Sequence, residues 1–100
     1  MGMSKNKTVR INISSGRAIE EKAKFSRTIR INDLVLQSGT TAINRSGKVL
    51  GSTVGKQVKA IMSIAEKSMA AADGNILNTF RARLYVKGKN NIRGAEDAFI

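Results

Sequence analysis

The feature that most constrains the fold is a long stripe of apolar residues in the second half of the sequence. They recur at spacings of 4, 3, 4, 4 and 3, the period of an amphipathic helix of about five turns: Val54, Val58, Ile61, Ala65, Met69 and Ala72. Ser52 or Thr53 can cap the start of this helix, and Gly74 is placed to take the left-handed position after its end. Such a helix needs a second layer to cover its apolar face.

The flanking segments show the two-residue period of a β-sheet. Residues 8–13 and 25–31 alternate apolar and polar side chains, and each predicts a strand. Segment 34–37, in which the first three residues are apolar, predicts a strand buried on both faces, joined to the second by a tight turn at Asn32-Asp33. The clearest alternation lies at 80–86, which predicts a fourth strand with one face on the helix.

The remaining segments predict connections and a second helix. The polar residues 17–24 predict a loop, and 48–50 predicts a short extended piece. A helical pattern opens at Asn91 and runs to the end of the chain. The order of elements predicts an α+β domain with its helices on one face of a sheet. We expect residues 1–8 to be a disordered segment or an expression scar.

The composition excludes several kinds of chemistry. The 100 residues include neither cysteine nor histidine, so disulfides, thiolate or imidazole metal sites and a Ser-His-Asp relay are excluded. No apolar stretch approaches the ~20 residues of a membrane helix, and no apolar segment follows the N-terminal charge as in a signal peptide. We therefore expect a cytoplasmic protein with no membrane contact.

The charge balance is strongly basic and raises the question of nucleic acid. Lys and Arg number 18 against 7 Asp and Glu, a net charge of +11, which attracts phosphates and carboxylates. The cations are dispersed, however, and only four residues are aromatic, too few for a base-stacking platform. A solvated basic surface is the favoured interpretation, with a basic RNA-binding or ribonuclease-like protein as an alternative.

Five short motifs, in order, resemble the Rid family, also called YjgF/RidA-like. They are Ser15-Gly16 with Glu20-Glu21, Phe25 to Thr28, Leu34 to Ala42, Gly47 to Gly51 with Gln57, and Arg81 to Val86. The resemblance runs from about Val9 to the last residue. It implies a chorismate-mutase-like α+β fold in a homotrimer whose sheets form a barrel, with ligand clefts between subunits.

The resemblance also implies an activity. RidA-like proteins hydrolyse enamines and 2-imino acids to 2-oxo acids and ammonia, without a metal or an organic cofactor. The arginine and the glutamate of the family's C-terminal strands have no counterpart before Ile100, so we expect 9–100 to be one RidA-like domain, C-terminally incomplete relative to the family. Whether this form is catalytic is left open. The alternative is a non-enzymatic trimer that binds a small carboxylate metabolite or a protein.

Five residues are candidates for ligand contact, and the catalytic residues are unassigned. Phe25 stands where the family has a tyrosine, and Glu96 where it has an asparagine. Ser38 and Gly39 match the family's strand end, and Arg27 is a candidate cation. Each has a structural interpretation beside the functional one: Ser38-Gly39 as a simple strand end, Arg27 as an ion-pair residue, Glu96 as a surface residue and Phe25 as a wall of the core or cleft.

Overall fold

The computed structural model describes residues 7–100. In chain order the elements are β1 (Arg10–Ile13), α1 (Ala18–Lys22), β2 (Thr28–Ile31), β3 (Leu34–Gln37), α2 (Val54–Ala71) and α3 (Ile92–Phe99). Short 3₁₀ turns lie at Ile76–Asn78 and Lys89–Asn91. The expected disordered segment or expression scar at 1–8 falls, apart from its last two residues, outside the described part of the chain.

The three strands form one antiparallel sheet in the order β1-β2-β3. The central strand β2 pairs on one side through Ile11 opposite Arg30, and on the other through Leu36 opposite Ile29. Asn32 in the turn between β2 and β3 has a φ of 52°, a left-handed conformation that asparagine tolerates. The predicted tight hairpin is therefore confirmed.

The two faces of the sheet have different surroundings. Arg30 and Val35 face the end of α2, where the Arg30 Nη1 donates to the Ala72 carbonyl oxygen at 3.0 Å. The opposite face carries four apolar side chains, which we call the open sheet face: Ile29, Ile31, Leu34 and Leu36. Leu34 and Leu36 are 41% and 46% exposed. The expectation that β3 is buried on both faces is wrong, because no layer within residues 7–100 covers this face.

The long helix α2 confirms the strongest prediction from the sequence. Thr53 caps it by accepting the Lys56 backbone N–H at 3.2 Å. The left-handed residue after its end is Asp73, with a φ of 60°, and not Gly74. The hydrogen bonds explain this: the Asp73 N–H reaches Ala70 and the Gly74 N–H reaches Met69, a Schellman motif in which the first residue beyond the cap is left-handed.

Helix α3 packs against α2, and the apolar core of the described chain is small. Gly94 of α3 comes so close to Val54 that an added Cβ would lie 2.9 Å from its Cγ1. The buried apolar residues of the described chain are Ala42, Val58, Ile64, Ala65, Ala72 and Ala95. Most of them are alanines, whose burial removes little apolar area from water. The monomer therefore gains little hydrophobic stabilisation.

Two predictions of secondary structure are wrong. Residues 17–24 contain the short helix α1 instead of a loop, because five residues are too few to show a helical period. Residues 80–86 are not a strand: no partner within residues 7–100 accepts or donates a backbone hydrogen bond. Phe80 and Tyr85 are 83% and 84% exposed there. The piece at 48–50 is reduced to one bridge between Val49 and Ile43.

Candidate functional site

A buried ion pair between Glu20 of α1 and Arg27 holds one end of the sheet together. The Arg27 Nε lies 3.4 Å from the Glu20 Oε2, and the two residues are only 3% and 4% exposed. Glu20 also accepts the Ser15 backbone N–H at 2.9 Å and the Ser15 hydroxyl. Arg27 donates from Nη1 to the Gly39 carbonyl oxygen at 2.5 Å and to the Thr40 hydroxyl at 3.3 Å. The pair thus joins the segments before α1, before β2 and after β3.

The same contacts set the charge of Glu20. Burial alone would raise the pKa of this carboxyl, but the Ser15 hydrogen bonds and the Arg27 charge outweigh it and hold the pKa below its usual value. Burial, with Arg27 and Arg45 nearby, lowers the pKa of Arg17, although a guanidinium stays charged at any physiological pH. Glu20 is therefore ionised at neutral pH and already neutralised by Arg27.

A second polar chain fixes the strand end at Ser38. The Thr28 hydroxyl donates to the Gln37 Oε1 at 2.5 Å, and the Gln37 Nε2 donates to the Thr40 hydroxyl at 3.1 Å. The Ser38 hydroxyl donates to the Ser26 carbonyl oxygen at 2.6 Å. Together these bonds connect the end of β3 to Thr40 and to the segment before β2.

An open cleft of about 470 Å³ lies beside this network. Its lining combines cations, carboxylates, hydroxyls and apolar side chains: Arg10, Asn12, Glu20, Glu21, Lys24, Phe25, Ser26, Ile29 and Ser38. A second cleft of about 330 Å³ adjoins it on the other side of Phe25. The volume falls in the range of small-ligand sites. Ile29 also belongs to the open sheet face, so the cleft and that face are continuous.

The structure brings together four of the five candidate residues. Phe25 and Ser38 line the cleft. The Arg27 guanidinium lies 5.0 Å from the centroid of the Phe25 ring, and the Gly39 carbonyl oxygen accepts its hydrogen bond. Glu96 does not join them: it is exposed on α3 and lines neither cleft. Ligand contact by any of the five stays a prediction.

Sequence reasoning missed the residues that give the cleft its charge. Arg10 and Asn12 belong to the outer face of β1, and Glu21 and Lys24 belong to α1 and the turn after it. The alternation of 8–13 could have placed Arg10 and Asn12 on one face. The position of Glu21 and Lys24 depends on α1, a helix too short to show a helical period in the sequence.

Two other kinds of feature are absent from the described residues. Among residues 7–100, no three His, Cys, Asp or Glu side chains lie close enough to hold a metal ion. No helix in that range is long and apolar enough to cross a bilayer.

Comparison with known proteins identifies a family and several solved structures with a similar fold. The sequence model of the family described as endoribonuclease L-PSP matches residues 15–99. The fold is similar to that of Rv2704 from Mycobacterium tuberculosis, a member of the YjgF/YER057c/UK114 family, with a TM-score of 0.79 and 26% identity over 90% of this chain and 70% of that one. Protein YJGH has a similar fold, with a TM-score of 0.59 and 22% identity over 69% and 54% of the two chains. No curated protein matches the sequence.

Proposed function

Because the chain belongs to the endoribonuclease L-PSP family, which includes the YjgF/RidA-like proteins, we propose that it hydrolyses small 2-imino acids to 2-oxo acids and ammonia. The observation that carries this proposal is the cleft beside the Glu20–Arg27 pair. It has a small-ligand volume, cations for a carboxylate, and an apolar wall from Phe25 and Ile29 for a short side chain.

The proposed reaction needs only water. The water oxygen bonds to the imine carbon while one of its protons passes to the nitrogen. The remaining hydroxyl proton then also passes to the nitrogen as the carbon–nitrogen bond breaks, which leaves the carbonyl of the 2-oxo acid and releases ammonia. No oxidant or reductant is consumed. Hydrolysis of this kind depends on holding the carboxylate in place and on moving protons at the reacting carbon. Glu20 is a poor proton carrier, because Arg27 and Ser15 hold its carboxylate ionised.

The open sheet face supports the proposal that the working form is a homotrimer. Its four apolar side chains would lose contact with water if three sheets faced one another, which adds the hydrophobic area that the thin monomer core lacks. Because the cleft continues into this face, a neighbouring subunit would supply the cleft's missing wall.

Sedimentation analysis tests the trimer. We expect a trimer for the wild type and monomers for the Leu34→Lys/Leu36→Lys double variant, since two charges on the open sheet face oppose its burial. Leu77→Lys is the matched control, because Leu77 is exposed outside the sheet. A monomeric wild type would contradict this part of the proposal.

Imine lifetime tests the reaction. An amino acid oxidase with catalase generates the 2-imino acid, and semicarbazide traps what remains after a set interval. We expect the wild-type protein to lower the amount trapped and to speed ammonia release. A folded trimer that leaves the imine lifetime unchanged would contradict hydrolysis and favour the non-enzymatic carboxylate-binding module.

A specific observation favours RNA binding as a second candidate. The segment 80–86 exposes Phe80 and Tyr85 with Arg81 and Arg83 between them, and single-stranded nucleic acid binds such combinations of rings and cations. Filter binding against salt tests it. We expect a negative slope of affinity with salt that becomes shallower in Arg81→Ser/Arg83→Ser. A flat wild-type slope would exclude this function.

A further inference from the structure

Lys24 occupies a backbone position that suits glycine. After α1 its N–H bonds to the Glu21 carbonyl oxygen at 3.3 Å, and the Phe25 N–H bonds to the Glu20 carbonyl oxygen at 2.9 Å. This is a Schellman motif, and Lys24 takes its left-handed position with a φ of 59°. A lysine Cβ is strained in that conformation, whereas glycine adopts it freely. Fold stability alone therefore does not explain a lysine here.

The other non-glycine residues in this conformation have a local explanation that Lys24 lacks. Within residues 7–100 they are Asn32 and Asp73, and short amide or carboxylate side chains tolerate left-handed backbone. Lys24 instead lines the cleft, and no acidic group within residues 7–100 forms an ion pair with it. Its ammonium is available to a ligand.

Arg10 supplies a second cation to the same cleft. Its Nε donates to the Asn12 Oδ1 at 3.0 Å, between neighbours on one face of β1. That bond orients the guanidinium and leaves its two terminal nitrogens without a partner in the described chain. Two such nitrogens can bind one carboxylate in a bidentate manner.

Glu21 supplies the cleft's third charge. The other carboxylate in the lining, Glu20, is buried and already bound by Arg27 and Ser15. Glu21 is exposed and forms no ion pair within residues 7–100. The free charges around the cleft are thus two cations and one carboxylate, which complement a ligand that carries both a carboxylate and a protonated nitrogen.

We infer that Arg10 and Lys24 bind the carboxylate of the ligand and that Glu21 binds its protonated nitrogen. The ligand class is a small 2-iminio or 2-amino carboxylate. The inference rests on the proposed function for the location of the ligand, but its residues and its readout, equilibrium binding, are separate from the hydrolysis assay.

The first test compares two glycine substitutions at equivalent helix ends. Lys24→Gly relieves the left-handed strain, so we expect its Tm to rise by about 4 °C, while its affinity for L-alanine falls about tenfold. Asp73→Gly is the matched control at the end of α2, and it should leave that affinity unchanged. Lys22→Gln controls for the loss of a charge on α1 outside the cleft. An unchanged L-alanine affinity in Lys24→Gly would overturn the inference.

The second test separates the ligand's two charges by titrating labelled protein with three probes and following chemical shifts. We expect L-alanine to bind more tightly than pyruvate, which lacks the cationic nitrogen, and ethylamine to bind most weakly. Glu21→Gln should weaken the binding of L-alanine, because it removes the attraction to the ammonium. It should strengthen the binding of pyruvate, because it removes the repulsion between two carboxylates. Arg10→Gln should weaken both.

The results distinguish this inference from the proposed function. Binding that depends on Arg10, Lys24 and Glu21 supports the inference even if imine lifetime is unchanged. Accelerated hydrolysis with wild-type affinity in Lys24→Gly and Arg10→Gln supports the function and overturns the inference. Failure of the wild type to bind any of the three probes overturns it as well.

Discussion

The region around β2 and the segment 80–86 both alternate apolar and polar residues and both contain arginine, but their polar groups have different partners. In the region around β2, Arg27 is buried against Glu20. The nearby hydroxyls of Thr28 and Ser38 also donate hydrogen bonds to protein oxygens. In the second, no described residue pairs with the backbone, and Arg81 and Arg83 are exposed. Extended backbone becomes a stable strand only where a neighbouring strand accepts its hydrogen bonds. Of the two regions, the one around β2, which borders the cleft, is therefore the more ordered.

Hydrogen exchange should give the largest difference between the two regions. We expect the amides of β2 to exchange more slowly than those of 80–86 by on the order of 10³-fold, because β2 opens only when the sheet does. Exchange followed residue by residue by NMR measures this. Equal protection at 80–86 would show that another segment pairs with it and would break the comparison.

Arginine truncation should separate the regions in stability. Arg27→Ala leaves Glu20 buried without its counter-charge, so we expect the free energy of unfolding to fall by about 3–5 kcal/mol. Arg83→Ala, at an exposed position, should change it by less than about 0.5 kcal/mol. Urea unfolding of both variants checks this. Similar losses would mean that the buried pair is not what holds the sheet end.

A matched threonine substitution gives a smaller contrast. Thr28→Val leaves the side-chain oxygen Oε1 of Gln37 without its donor next to a fully buried position, at a cost of about 1–3 kcal/mol. The Thr79 hydroxyl also donates, to the Ile76 carbonyl oxygen, but it is exposed and water can replace it. Thr79→Val should therefore cost less than about 0.5 kcal/mol by thermal unfolding. A larger loss of stability in Thr79→Val than in Thr28→Val would contradict the expectation that the region around β2 is the more ordered one.

Acid sensitivity should be the smallest effect and should arise in the cleft region. Because the pKa of Glu20 is lowered in the folded protein, its contribution to stability is present above its unfolded pKa of about 4.3 and is lost as pH falls through the folded value. Glu20→Gln should flatten the decline of Tm below about pH 4.3. Glu21→Gln changes an exposed side chain and should keep the wild-type decline of Tm. A flattened curve for this control variant would contradict Glu20 as the origin of the acid sensitivity.

The sequence predicted the elements whose residue pattern is long, or whose residues interact with close neighbours in the sequence. The stripe from Val54 to Ala72 gave α2, and Asn32-Asp33 gave the hairpin, because a turn and the strands beside it are determined by neighbours in sequence. Phe25 and Ser38 were found through motifs that resemble a family. Arg10, Glu21 and Lys24 were not, since their approach to one cleft depends on how α1 packs beside β1.

The sequence by itself determined the α+β class, the long helix and the excess of positive charge, because periodicity and composition are properties of the chain alone. Tertiary structure decided three other matters. It decided that Arg27 is an ion-pair residue, because its neighbour Glu20 comes from a different element. It decided that Leu34 and Leu36 remain exposed, because no described layer covers them. It also decided that 80–86 is not a strand, because alternation makes a segment suited to a sheet and only a hydrogen-bonding partner makes it part of one.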